Sequence, residues 1–123
     1  MNGPVLPVLR TIFDLEGPIA AALVDPRIGI CLADTHASAS HLVDMDVAAM
    51  GISEMFNAQH SNLTEAELEH EMEDLIINTV TQAHLIRVAP GPLLLYVVME
   101  RGATSMSLVQ HKMKEMERLL FQK

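Results

Sequence analysis

Five residues in the first half of the chain have side chains of the kind that ligate transition metals: Cys31, Asp34, His36, His41 and Asp44. A thiolate, two imidazoles and two carboxylates suffice in type for a zinc-like centre. Their spacing does not suffice. On a strand alternate residues share a face, so Asp34 and His36 point one way and Cys31 the other. The expectation is ordinary strand-end and loop residues, with no bound metal and no other cofactor.

Other chemistry is thinner. His60, His70, His84 and His111 stand singly and form no acid–base pair. Cys31 sits in apolar sequence, where a cysteine acts as a small buried hydrophobe rather than a nucleophile. Gly29, Gly51, Gly91 and Gly102 are isolated, so no glycine-rich loop is present to cradle a phosphate. A regulator can supply an arginine to a partner's active site. Arg10, Arg27, Arg87, Arg101 and Arg118 have that chemistry, and nothing in the sequence selects one. No catalytic residue is assigned, and the chain reads as a non-enzyme.

The elements that position these residues are built from 123 residues, half of them apolar, which fits one domain over residues 1–123. Aromatics make up only 3% and Trp is absent, so Leu, Ile, Val, Ala and nine Met must fill the interior. With Cys31 as the only cysteine no intrachain disulfide forms, which points to a reducing cytoplasm. No basic stretch precedes an apolar run near the start, as a signal peptide would require. The longest uncharged apolar stretch, Val88 to Met99, falls short of the ~18 residues of a spanning helix. A soluble protein without membrane insertion is expected.

Charge is unevenly spread. Between Arg27 and Arg87 there is no Lys or Arg, while acids recur from Asp34 to Asp74. Nucleic acid is excluded as a partner, because phosphate binding needs the opposite sign. Glu65, Glu69 and Glu73 are candidates for a partner-facing surface, the plain alternative being that they keep an apolar domain in solution.

Along the chain, Val5 to Leu15 reads as a short amphipathic helix stopped by Gly17 and Pro18. Ile19 to Val24 and Ile30 to Leu32 form a hairpin about Asp25-Pro26-Arg27, and Ala20, Ala21 and Ala22 let helices approach closely. Asp44 caps a helix from Met45 to about Gln59 whose apolar face is too wide for one burial partner. Ala48, Ile52 and Met55 are expected on the sheet, and Met45, Ala49 and Phe56 on a second copy of the helix. Leu63 to Glu73, with Thr64 and Glu67 as a capping box, is a short acidic helix or an extension of that one. Strands follow at Leu75 to Thr81, His84 to Val88 and Leu93 to Met99. The first reads as an edge and the last as a strand covered on both faces. A final helix opens at Thr104 or Ser105 and buries Met106, Val109, Met113, Met116 and Leu120.

This order resembles the roadblock family of dynein light chains and bacterial GTPase regulators. The resemblance is carried by Ile19 to Asp25 followed by Gly29, by the small-residue helix around Asp46-Val47-Ala48-Ala49, and by Leu93 to Met99 leading through Gly102 into the last helix. It implies a profilin-like α/β (α+β) architecture: a five-stranded, mainly antiparallel sheet in the order second, first, fifth, fourth, third. The long helix lies on one face and the terminal helices on the other. It also implies a homodimer joined through the third strand and the long helix, here Leu75, Ile77, Thr79 and Thr81 with Met45, Ala49, Ile52 and Phe56. The function class implied is a regulator or scaffold that binds a small Ras-like GTPase. The alternatives are a structural adaptor subunit and, from another class, a small metal-dependent enzyme using the Asp34 and His36 region.

Overall fold

Apolar alternation and turn chemistry resolve into helices and a five-stranded sheet in this computed structural model, which describes residues 4–38, 44–66 and 73–121. Helix α1 (Val5–Arg10) runs into a 3-10 turn (Thr11–Asp14). Strands β1 (Pro18–Asp25) and β2 (Ile30–His36) form a hairpin, followed by α2 (Met45–Glu65). Strands β3 (Asp74–Asn78), β4 (Gln82–Ala89) and β5 (Leu93–Glu100) then lead into α3 (Met106–Phe121). The sheet order is β2-β1-β5-β4-β3, with every neighbouring pair antiparallel. The fold is therefore a mixed α/β one, in the strand order the resemblance implied.

Two apolar layers flank the sheet. On one face Leu9 and Ile12 join Val109, Met113, Met116 and Leu120 of α3 over Leu23, Leu95 and Val97. On the other, Met45, Ala49, Ile52 and Phe56 of α2 lie over Ala20, Ala22, Tyr96 and Val98. Strand β1 is buried along its whole length, and its alanines let α2 close on the sheet. Each large aliphatic side chain fully buried in these layers contributes about 2 kcal/mol relative to exposure.

Two glycines fix the chain path. Gly17 has φ +106°, and a Cβ there would stand 2.7 Å from the Ala103 Cβ, so only glycine fits where the chain enters β1. Gly29 has φ +67° and closes the hairpin turn, its N–H donating to the Asp25 carbonyl at 2.9 Å.

Three expectations are corrected. The extension reading of Leu63 onward holds as far as Glu65, where α2 ends, but Thr64 is inside the helix and donates its hydroxyl to the His60 carbonyl at 2.8 Å, so it caps no new helix. Glu67 lies outside the described residues. Strand β3 stops at Asn78, because the Thr79 hydroxyl accepts the Gln82 N–H at 3.0 Å and closes the turn to β4. Thr79 and Thr81 therefore belong to that turn and not to the strand. Third, the faces of α2 are the reverse of those expected at Met45, Ala49 and Phe56, which pack on their own sheet, while Met55 is exposed. None of the described helices is long and apolar enough to cross a membrane.

Candidate interaction surface

The sheet has two edges, β2 and β3, and they differ in how open they are. The β1–β2 ladder shifts register between Leu23 and Val24, a bulge that kinks β2, and Asp34 puts a charge on that edge. Strand β3 pairs with β4 in unbroken register from Asp74 to Asn78 and contains no Lys or Pro. Its one charge is engaged: Asp74 takes the Arg87 guanidinium at 3.3 Å.

The direction of the free hydrogen-bonding groups follows from the bonds at the ladder's ends. Thr79 N–H donates to the Gln82 carbonyl and Val88 N–H to the Glu73 carbonyl. Odd-numbered β3 residues thus bond to β4, and the backbone groups of Asp74, Ile76 and Asn78 point to the open side. Among the described residues no strand pairs there.

Leu75 and Ile77 stand on the α2 face, half-buried beside Ile86 and His84. Helix α2 packs on β1 and β2 and leaves this half of the sheet less covered. Its flank carries Ala48, Gly51, Met55 and Ala58 at steps of three and four, with Met55 45% exposed. Val47 extends this stripe, 64% exposed.

A polar pair sits on the same face. His84 Nδ1 lies 2.6 Å from the Tyr96 hydroxyl and His84 Nε2 lies 3.2 Å from Gln82 Oε1, with the two rings stacked. Burial lowers the His84 pKa and pushes the Tyr96 hydroxyl up to about 12. A neutral imidazole that accepts from the Tyr96 hydroxyl and donates to Gln82 Oε1 gives both ring nitrogens and the hydroxyl a partner.

Of the interface residues expected from sequence, Leu75 and Ile77 lie on the open edge strand. Thr79 and Thr81 lie just beyond it, and Met45, Ala49, Ile52 and Phe56 are buried inside the chain. Ala48 packs towards the sheet as expected, while sequence reasoning missed Met55 and Ile76 as outward apolar positions. For Met55 the signal was present in the spacing of Ala48, Gly51 and Ala58 on α2. Glu65 ends α2 and Glu73 precedes β3, both exposed, and Glu69 lies outside the described residues.

The metal-type residues arrange otherwise than expected. The bulge lets Cys31 pair with Val24 while Asp34 pairs with Ala22 and His36 with Ala20, all positions whose β1 partners face α2. Cys31, Asp34 and His36 therefore share a face instead of splitting between two. Asp34 and His36 come within 3.8 Å, but among the described residues no three His, Cys, Asp or Glu side chains form a metal-holding group. His41 is outside the described residues, and Asp44 caps α2, accepting the Val47 N–H at 3.2 Å. The Cys31 thiol donates to the Ala33 carbonyl, and burial, with Asp34 second, pushes its pKa up to about 11.

Three arginines have structural duties. Arg27 is held by Asp25, Arg87 by Asp74 and Glu117, and Arg101 donates to the Thr79 carbonyl at 2.9 Å. Arg10 and Arg118 are exposed.

Neither a protein-family model nor a curated protein matches this chain in sequence. Solved structures match it in shape. MglB of Myxococcus xanthus superposes with a TM-score of 0.81 at 16% identity, over 94% of this chain and 90% of that one. The gliding protein MglB of Thermus thermophilus gives 0.82 at 19% identity, over 94% and 84%. A Roadblock/LC7 domain from Streptomyces avermitilis gives 0.78 at 12% identity, over 90% and 89%. With the strand order, the helix layers and these superpositions in agreement, the chain has the roadblock fold.

Proposed function

We propose that the chain is a cytoplasmic homodimeric module that binds a small Ras-like GTPase, or a larger assembly built around one, and performs no chemistry of its own. The observation that carries this reading is the β3 edge: straight, charge-neutralised, unpaired among the described residues, and flanked by an outward apolar stripe of α2. Two such edges joined antiparallel would make one continuous sheet. Ile76 would supply the backbone bonds, and Met55 with Ala48 would pack against the same residues of the partner. The likeness in fold to MglB and to a Roadblock/LC7 domain supports the GTPase link, and Glu65 and Glu73 at the ends of these elements remain candidates for the partner-facing surface.

The test is affinity capture from the native cell with the purified chain as bait, in GDP and in a non-hydrolysable GTP analogue. Recovery of a Ras-like GTPase that depends on the nucleotide is expected. Recovery of large proteins with no GTPase in either state would replace this reading with the structural adaptor.

A further inference from the structure

The two helical layers lie on opposite faces of the sheet and carry opposite charge on their outer sides. Helix α2 covers one face, and α1 with α3 covers the other. From Met45 to Glu65 there is no Lys or Arg. Asp46, Met50 and Glu54 recur at steps of four along α2, so one outward stripe reads acid, apolar, acid. All three are exposed, Met50 by 59%. Asp46 and Glu54 have no ion-pair partner among the described residues, and the cation beside the stripe, Arg27, is held by Asp25.

Helix α3 is the reverse. It buries Val109, Met113, Met116 and Leu120, and away from that side Lys114 and Arg118, again at a step of four, are exposed. Neither has an ion-pair partner among the described residues, whereas both acids of the helix are engaged. Glu115 lies 3.8 Å from Lys112, and Glu117 accepts the Arg87 Nε at 2.8 Å. Leu108 and Leu119, three turns apart on one line and 52% and 44% exposed, border the cations. Arg10 of α1, which packs beside α3, adds a further exposed cation.

The surface that fits each face is thus carried by the molecule itself. The acids of α2 meet the cations of α3, and Met50 meets exposed leucines. Pairing α2 with α2, or α3 with α3, would set like charges together. Because the two faces look in opposite directions, such a contact repeats instead of closing.

We propose that the α3 face of one copy docks on the α2 stripe of the next, so that copies of this chain stack head to tail. Lys114 and Arg118 pair with Asp46 and Glu54, and Met50 lies among the leucines. The contact goes beyond the homodimer reading, since it uses neither β3 nor the Ala48–Met55 flank of α2. In a dimer joined through β3 both copies of α2 face one way and both copies of α3 the other, so each step of the stack is made twice. Exposed ion pairs are individually weak and the net charge of −8 opposes them, so stacking belongs to chain concentrations of about 1 mM rather than tens of micromolar.

Sedimentation of the native chain should show a mass that rises with concentration up to about 1 mM. Amide shifts of the nitrogen-15-labelled chain between dilute and concentrated samples should gather from Asp46 to Glu54 and from Leu108 to Leu119. Two double variants each reverse one face: Lys114→Glu with Arg118→Glu, and Asp46→Lys with Glu54→Lys. The first makes the chain more acidic and the second less, yet both should weaken stacking about tenfold or more. Net charge alone would move them in opposite directions. Mixed in equal amounts the two should associate again, since each reversed face meets the other. All four side chains are exposed, so circular dichroism should stay native. Ile76→Pro should stack in steps of one chain and the native protein in steps of two, so the stack and the homodimer fail separately. A mass independent of concentration, a reversed variant that associates like the native chain, or a mixture no better than its parts would overturn the proposal.

Discussion

Arg87 stands directly opposite Asp74 in the β3–β4 ladder and holds its carboxylate at 3.3 Å, while its Nε donates to Glu117 of α3 at 2.8 Å. One guanidinium, 13% exposed, thus fastens the edge strand to β4 and the sheet to the last helix. Arg87→Ala would strand two carboxylates that are themselves only about a quarter exposed. A loss of about 2 kcal/mol is expected, below the 3–5 kcal/mol of fully buried pairs. Thermal unfolding should show Tm lower by about 8 °C, and Arg87→Lys, which lacks the fork, should fall between the two.

The His84–Tyr96 contact makes stability depend on pH. Burial lowers the folded pKa of His84 below its ordinary value of 6.5, so the contribution is complete above that value and declines as pH falls below it towards the folded pKa. Denaturant midpoints of the native chain should therefore drop more between pH 7 and pH 5 than those of His84→Gln. Parallel curves for the two proteins would show that His84 does not carry the effect.

Asp25 gives a second, lower window. The hydrogen-bonded Arg27 guanidinium holds its carboxyl below the ordinary carboxylate range, so its contribution persists through mild acid and is lost as pH falls through that lowered value. Asp25→Asn should be less stable at neutral pH, and the gap should close at strongly acid pH.

Cys31 should be inert in the folded chain. With its thiol pKa pushed up to about 11, the thiolate is scarce at pH 7.5, and alkylation should be slow until denaturant is added. Equal rates in native and unfolded protein would contradict the half-buried placement.

Much of this was legible in the residues. Ile19 to Val24 and Leu93 to Met99, apolar without alternation, became the central strands β1 and β5, and Asp44 caps α2 as its side chain dictates. What escaped depended on geometry that residue types do not encode. A bulge of one residue turned Cys31 to the face of Asp34 and His36. Thr79 has strand propensity, but its hydroxyl closes a turn. In α2 apolar residues surround most of the axis, so the buried face was decided by fit against Ala20 and Ala22 rather than by periodicity. The edge character of β3 was correct, and its outward residues were not found.

The proposed homodimer is tested most directly by light scattering of the native chain beside Ile76→Pro at tens of micromolar. Proline at 76 removes an N–H that points to the open side and leaves the β3–β4 bonds in place, so the variant should fold. The native chain should have twice the 13.5 kDa chain mass and the variant a single chain's mass with an unchanged circular dichroism spectrum. A native monomer, or an Ile76→Pro dimer as stable as the native one, would contradict pairing through β3.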